Sequence, residues 1–270
     1  MTKTTLRRIP AYAFLTVAVI FSVFPLYFMA VSATNTSNDV IASKLLPGGH
    51  LVDNFKALVD AQPLGSAAYH SSLNAVVTTV LALVLCSLAG YAFEIYHSRA
   101  KDVVMGILLL AIMIPFAATM IPLFRLFAQV GLVNSTTAVV LPLIATPFLI
   151  LLFRQASRTF PHEIIEAARL DGLGEVSIFT RIYLPTMKPT LAAAGVITFL
   201  FSWNNFLWPK VILVDNKYQT LPMLLSNMRA GYVTDYGSLM LAVLIVSVPT
   251  MVVFLLLQRS FAEGVTGAIK

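Results

Sequence analysis

Two groups of residues in this chain are candidates for binding or catalysis. The first lies in a polar, amphipathic stretch from Arg154 to Pro189, where Glu166 stands with Ala167, Ala168, Asp171 and Gly172. Pro161 suits the first position of a helix, where its missing N–H is no loss, and Glu163 would then complement the helix dipole. Ile164, Ile165, Ala167 and Ala168 follow, and Asp171-Gly172 reads as the stop. A second short helix is expected from Glu175 to Tyr183, ended by Leu184-Pro185. Such a helix-turn-helix can dock in a cleft of another protein, with Glu166 as an anion for pairing and the alanines permitting close approach. It can equally lie as a linker on a membrane surface, and periodicity leaves both readings open.

The second group is Trp203, Asn204 and Asn205, with Asn74 beside them as a lesser candidate. An aromatic face and amides suit sugar hydroxyls, and polar groups in apolar helices tend to face cavities. The alternatives are a packing hydrogen bond between helices or a tryptophan at a membrane boundary. Catalytic chemistry is absent from the pattern. His50, His70, His97 and His162 all fall in loops or at the edges of apolar runs, and no GxSxG or HExxH occurs. A single cysteine, Cys86, excludes a disulfide framework or a CxxC site. There is no Gly-Lys pair, hence no P-loop. No catalytic residue, metal site or cofactor is expected on this chain.

The elements that must hold these residues are membrane spans. The 270 residues are 58% hydrophobic and only 11% charged, with a mean hydropathy of +0.85, whereas a soluble domain carries about 25% charged residues. A chain of pI about 9.5 invites a nucleic-acid reading, which the hydropathy forbids. Residues 9–38, 61–93, 103–124, 126–153, 189–209 and 236–258 contain no Asp, Glu, Lys or Arg, and a helical crossing needs about 20 residues. One all-α transmembrane domain over 1–270 is therefore expected, with spans near 11–32, 72–94, 103–124, 136–153, 189–209 and 237–258 and a loop at 154–188. Gln62-Pro63-Leu64-Gly65-Ser66 reads as loop, which starts the second helix near Ser72. Pro25, Pro115, Pro122, Pro142, Pro147 and Pro249 predict kinked, closely packed helices. Asn74, Thr78, Ala82, Cys86 and Gly90 form a small-residue stripe at a spacing of four, read as a packing face.

The apolar run from Tyr12 to Val31 is too long for the signal-peptide core of about 7–15 residues, so it reads as the first span. Twelve Lys or Arg fall at the N-terminus, second loop, fourth loop and C-terminus, against six in the other loops. The positive-inside rule then places both termini and the fourth loop in the cytoplasm. None of the spans carries an ionisable relay, which argues against proton or sodium coupling.

Glu166-Ala167-Ala168, three residues, Gly172, nine residues, then Ile182-Tyr183-Leu184-Pro185 reproduces the pattern EAA-x3-G-x9-I-x-L-P. In this the chain resembles the permease subunits of binding-protein-dependent ABC importers. More narrowly it resembles the shorter permease of carbohydrate importers of the maltose-transporter type. Supporting stretches are Ser72-Leu73-Asn74, Trp203-Asn204-Asn205-Phe206, Asp235-Tyr236-Gly237-Ser238-Leu239-Met240 and the tail from Phe261-Ala262-Glu263-Gly264 to Gly267-Ala268-Ile269-Lys270. The usual Asn-Ser is Asn74-Ala75 here. The resemblance covers essentially the whole chain.

It implies a type I ABC importer permease fold in the inner membrane, in which the EAA loop is a coupling helix seated in the cytoplasmic ATPase. Glu166 would pair there with a basic residue, Gly172 would allow the turn, and residues 258–270 would be a second contact. Implied partners are a homologous permease, two ATP-binding subunits that bind ATP and Mg, an external solute-binding protein and the lipid bilayer, but no nucleic acid. Implied cargo is a sugar or oligosaccharide, with a polyol or glycerol phosphate as the alternative. From a different class, a non-transporting membrane scaffold that recruits a partner through the loop also fits the residues.

Overall fold

The computed structural model describes the backbone of residues 3–230 and 234–267, and the side chains of 10–230, 234–256 and 258. The side chains of Lys3, Arg7, Arg8, Arg259 and the tail from Phe261 to Lys270 lie outside the described residues. The described chain is helical and contains no strand. Its helices are α1 (Lys3–Ser32), α2 (Ser37–Ile41), α3 (Leu51–Ala61), α4 (Leu64–Ile95) and α5 (Arg99–Ile112). Then come α6 (Phe116–Gln129), α7 (Thr136–Val140), α8 (Pro147–Ser157), α9 (His162–Leu170) and α10 (Glu175–Ser177). The last are α11 (Leu184–Thr186), α12 (Lys188–Trp203), α13 (Leu207–Ile212), α14 (Leu221–Arg229) and α15 (Tyr236–Gly267).

Pro10–Ser32, Leu64–Ile95 and Tyr236–Leu256 are each long and apolar enough to cross a membrane. The other long apolar stretches are bent. α5 and α6 meet at 101°, α7 with its following turn meets α8 at 47°, and Glu175–Thr186 meets α12 at 81°. If each bent pair counts as one crossing, the total rises to six. The bends sit where proline chemistry puts them. Pro115 lacks an N–H and disfavours helix at Ile114, and it caps α6 with ψ of 128° rather than continuing α5. Pro142 sits inside the tight turn Leu141–Leu143, and Pro147 opens α8 after it. Pro25, Pro122 and Pro249, by contrast, lie inside continuous helices.

α4 starts at Leu64, not near Ser72. Pro63 stands just outside the helix, where it removes no helical bond, and the Ser66 hydroxyl donates to the Lys217 carbonyl at 3.0 Å. Glycine and serine in that first turn mimic a loop in sequence, yet they are tolerated at a helix start. The expected stripe of Asn74, Thr78, Ala82, Cys86 and Gly90 is buried along its length.

The chain forms two compact units, one of residues 1–64 and 224–249, the other of 65–223 and 250–270. In the first, Ala33, Leu58, Leu241 and Ala242 make the core. Here the Asp235 carboxylate accepts from the Ser37 hydroxyl at 2.7 Å and from the Ser238 hydroxyl at 2.6 Å, capping α15. In the second, one core joins Ala82 and Cys86 of α4 to Met105, Leu149, Phe153 and Ala194. Another surrounds Trp208, whose indole donates to the Ala138 carbonyl at 3.0 Å.

Candidate functional site

The stretch from Arg154 to Pro189 folds as a helical hairpin over its own apolar core. Pro161 is the residue before the first helical turn of α9, one place earlier than expected, so its missing N–H is still no loss. Glu163 in the first turn and Arg169 in the last complement the dipole. The helix is two-faced. Ile165 and Ala168 are buried with Phe160, Ile178, Tyr183, Met187 and Tyr91 of α4. Glu166 and Ala167 lie on the outer, exposed face with Ile164 and Leu170, the latter 89% exposed. Of the two alanines expected to permit close approach, Ala167 is thus outward and Ala168 packs inward.

α9 ends in a Schellman turn. The Leu173 N–H reaches the Ala168 carbonyl and the Gly172 N–H reaches that of Arg169, each at 3.0 Å. Gly172 takes a φ of +80° with nothing within 4 Å of where a Cβ would be, so its conformation, not its size, requires glycine. Asp171, exposed, is the residue at the helix end.

The second half of the hairpin does not stop at Leu184-Pro185. α10 runs through a wider turn over Ile178–Tyr183 into α11, which ends at Thr186. That wider winding lies just ahead of Pro185, whose ring and missing N–H disturb ordinary helix bonding to the preceding turn. Tyr183, fully buried, shares a 2.6 Å hydrogen bond with the Ser157 hydroxyl of α8. Burial pushes its phenol above the ordinary value, so it stays neutral. This bond fixes the returning arm of the hairpin to the entering one.

Charged residues the sequence pattern did not single out surround this hairpin. Arg154 is only 5% exposed, with Nε 3.2 Å from Glu94 Oε2 and Nη2 2.6 Å from Asp102 Oδ1. Arg169 holds both oxygens of Glu175, at 2.7 and 3.3 Å, and Tyr96 donates its hydroxyl to Glu175. Glu94 and Asp102 end and begin apolar helices, and no spacing or periodicity ties them to Arg154, 60 and 52 residues away.

The residues expected to face cargo lie on α4 and α12. Asn74 is buried, and its carbonyl accepts from the Ser202 hydroxyl at 3.4 Å. Asn74 Oδ1 and, one turn on, Thr78 Oγ1 are buried with no hydrogen-bond partner among the described residues. Trp203 is 3% exposed and stacks on Phe199 at 5.7 Å. Asn204 is exposed and donates back to the Leu200 carbonyl at 2.9 Å, while Asn205 is half-buried just past the end of α12. A mainly apolar cavity of about 170 Å³ opens beside Thr78, lined also by Leu143, Thr146, Phe148, Leu149, Ile197, Thr198 and Phe201.

Residues 82–267 match the profile of a family described as the binding-protein-dependent transport system inner membrane component. Over 271 aligned residues the chain is 41% identical to the lactose transport system permease protein of Rhizobium radiobacter, covering 99% of each. It is 35% identical to the arabinooligosaccharides transport system permease protein of Halalkalibacterium halodurans, covering 92% of this chain and 91% of that one. Its fold matches a chain from a bacterial ABC transporter involved in the import of the acidic polysaccharide alginate. That match has a TM-score of 0.85 at 18% identity, over 97% of this chain and 99% of that one.

Proposed function

The chain belongs to the binding-protein-dependent transport system inner membrane component family, and on that premise we propose that it is a permease subunit of an ATP-driven importer for a sugar or oligosaccharide. It is a multi-pass inner-membrane protein with the all-α fold of a type I ABC importer permease. In this reading it works with a homologous permease, two cytoplasmic ATP-binding subunits and an external solute-binding protein. ATP and Mg belong to the ATP-binding subunits, and this chain hydrolyses nothing itself. Both termini and the hairpin at 154–188 face the cytoplasm, and the six crossings run near 11–32, 72–94, 103–124, 136–153, 189–209 and 237–258.

The observation that carries the reading is the outer face of α9. The Glu166 carboxylate is exposed there and makes no ion pair or side-chain hydrogen bond among the described residues, while the helix beneath it is anchored by Ile165 and Ala168. A carboxylate left open on a rigid, backed helix, with Ala167 beside it, suits a basic pocket on an ATP-binding subunit. Asp171 and Gly172 shape the end of the docking element. The cargo class is supported by the full-length likeness to lactose and arabinooligosaccharide permeases, and the cargo path is read along Asn74, Trp203, Asn204 and Asn205.

The test is the charge reversal Glu166→Lys in the complete transporter, reconstituted in vesicles with its partner permease, ATP-binding subunits and binding protein. Assembly is expected to persist while cargo-stimulated ATP hydrolysis is lost. Unchanged transport would overturn the docking assignment, and copurification without any ATP-dependent uptake would favour a scaffold. Offering lactose, an arabino-oligosaccharide and glycerol phosphate in the same vesicles decides the cargo.

A further inference from the structure

The turn between α4 and α5, with the helix ends on either side of it, grips the docking hairpin at its entering end and at its tip. At the entering end, Arg154 of α8 is forked between an acid in the last turn of α4 and one in the first turn of α5, with Glu94 Oε2 at 3.2 Å and Asp102 Oδ1 at 2.6 Å. Arg158, one helical turn on, reaches the same Glu94 oxygen at 3.5 Å. The other Asp102 oxygen lies 2.9 Å from His97 Nε2. Beyond α9, Tyr96 donates its hydroxyl to Glu175, and the Arg169 guanidinium sits 5.6 Å from the Tyr96 ring centre. The turn is also closed on itself, because Lys101 Nζ donates to the carbonyls of Ala92 at 2.9 Å and Tyr96 at 2.6 Å.

A mere connector would leave these side chains in water, where an isolated ion pair gains little. Here Arg154 is buried, and separating a buried charge from its partners is strongly unfavourable. The acids therefore move with α8. α9 is joined by chain to α8 and, through the returning arm, to α12, whereas α4 and α5 are not its neighbours in sequence: α4 meets the hairpin through Tyr91 in its core, and both helix ends meet it through these charged contacts. We propose that residues 94–102 form a clasp that passes movement of the docking hairpin to α4 and α5. Arg154, Asp102 and Tyr96 are its positioning residues. The clasp rests on the reading of 154–188 as the surface that meets the ATP-binding subunits.

The decisive experiment uses the complete transporter in vesicles and reads assembly, basal ATP hydrolysis and cargo moved per ATP hydrolysed. Asp102→Asn and Tyr96→Phe change exposed side chains by one polar function each, and Tyr96→Phe keeps the ring under Arg169. Their double variant is expected to assemble and to keep basal hydrolysis, while cargo moved per ATP falls about threefold or more, as for other residues that couple two sites. Arg154→Lys, which keeps the charge but not the fork, should lower the same ratio. A double variant with the normal ratio would overturn the clasp. Loss of assembly in it would also do so, since the turn would then be a folding element only. Glu166→Lys separates the two ideas: if it leaves transport intact, the docking reading fails. If it abolishes transport while the clasp variants couple normally, only the clasp fails.

Discussion

Gly90 of α4 and Phe153 of α8 touch at the backbone: a Cβ on Gly90 would lie 2.5 Å from Phe153 Cβ and 2.7 Å from the Arg154 nitrogen. Neither neighbour is the end of a flexible side chain, so the helices themselves would have to part. Gly90→Ala should destabilise the protein by about 1–3 kcal/mol, the usual range for overpacking. It would also draw Arg154 away from Glu94, one helical turn along α4. A fall in the thermal unfolding midpoint in detergent is expected. Gly106→Ala in α5, where nothing lies within 4 Å, should leave the midpoint unchanged or raise it, because alanine is the better helix former by about 1 kcal/mol. Equal midpoints for the Gly90 variant and wild type would show that α4 and α8 are not in this register.

The turn after α9 depends on a single left-handed residue. Gly172→Ala places a Cβ at φ of +80°, a conformation that disfavours an L residue by about 1–2 kcal/mol. Gly172→Asn should lose less, since asparagine enters that region more readily. Gly174 has an ordinary φ of −74° and open space around it, so Gly174→Ala should be neutral. Thermal unfolding of the three variants side by side checks the order, and a Gly174 loss as large as the Gly172 loss would contradict it.

The Arg169 guanidinium holds the Glu175 carboxyl below its usual value of 4.5, with the Tyr96 hydroxyl adding to the effect. A value depressed by folding means that the contribution is present in full above the ordinary carboxylate range and is lost as pH falls through the folded value. Both side chains are substantially exposed, so the contribution sits in the small range of surface pairs. The stability difference between wild type and Glu175→Gln should be constant from about pH 6 to 8 and should shrink towards zero below about pH 4. Chemical unfolding at a series of pH values measures it, and a difference that grows on acidification would reverse the assignment.

What the sequence made legible was whatever depends on near neighbours. The two faces of α9, the stop at Asp171-Gly172 and the buried stripe from Asn74 to Gly90 each follow from periodicity or local backbone preference, and each is present. Pro115 announced a kink, but neither the full break between α5 and α6 nor its angle of 101°, since the angle is set by what packs on either side. Gly65 and Ser66 disguised the first turn of α4 as loop. The clasp was invisible for a different reason. Glu94 and Asp102 are 60 and 52 residues from Arg154, and charges at helix ends carry no periodic signal to join them. Trp203 likewise stood out as an amphipathic residue in an apolar helix, and its burial, with the ring stacked on Phe199, places it inside.

The cargo path can be tested at Thr78, where stability and transport should move in opposite directions. Its hydroxyl oxygen is buried without a partner among the described residues and borders the cavity shared with Thr146, Thr198 and Phe201. A buried oxygen left unpaired costs about 1–3 kcal/mol, and Thr78→Val keeps the shape while removing it. An oxygen that serves only the fold would be bonded, so the variant should unfold at an equal or higher temperature. An oxygen that serves a hydroxyl-rich cargo would be missed during uptake, and the half-saturating cargo concentration in vesicles should rise by up to about tenfold, the worth of one such bond. Asn74→Leu, one turn away on the same face, should raise it as well. If Thr78→Val gains stability and uptake is unchanged, the cavity lies off the path, and Asn204 and Asn205 beyond the end of α12 become the residues to replace next.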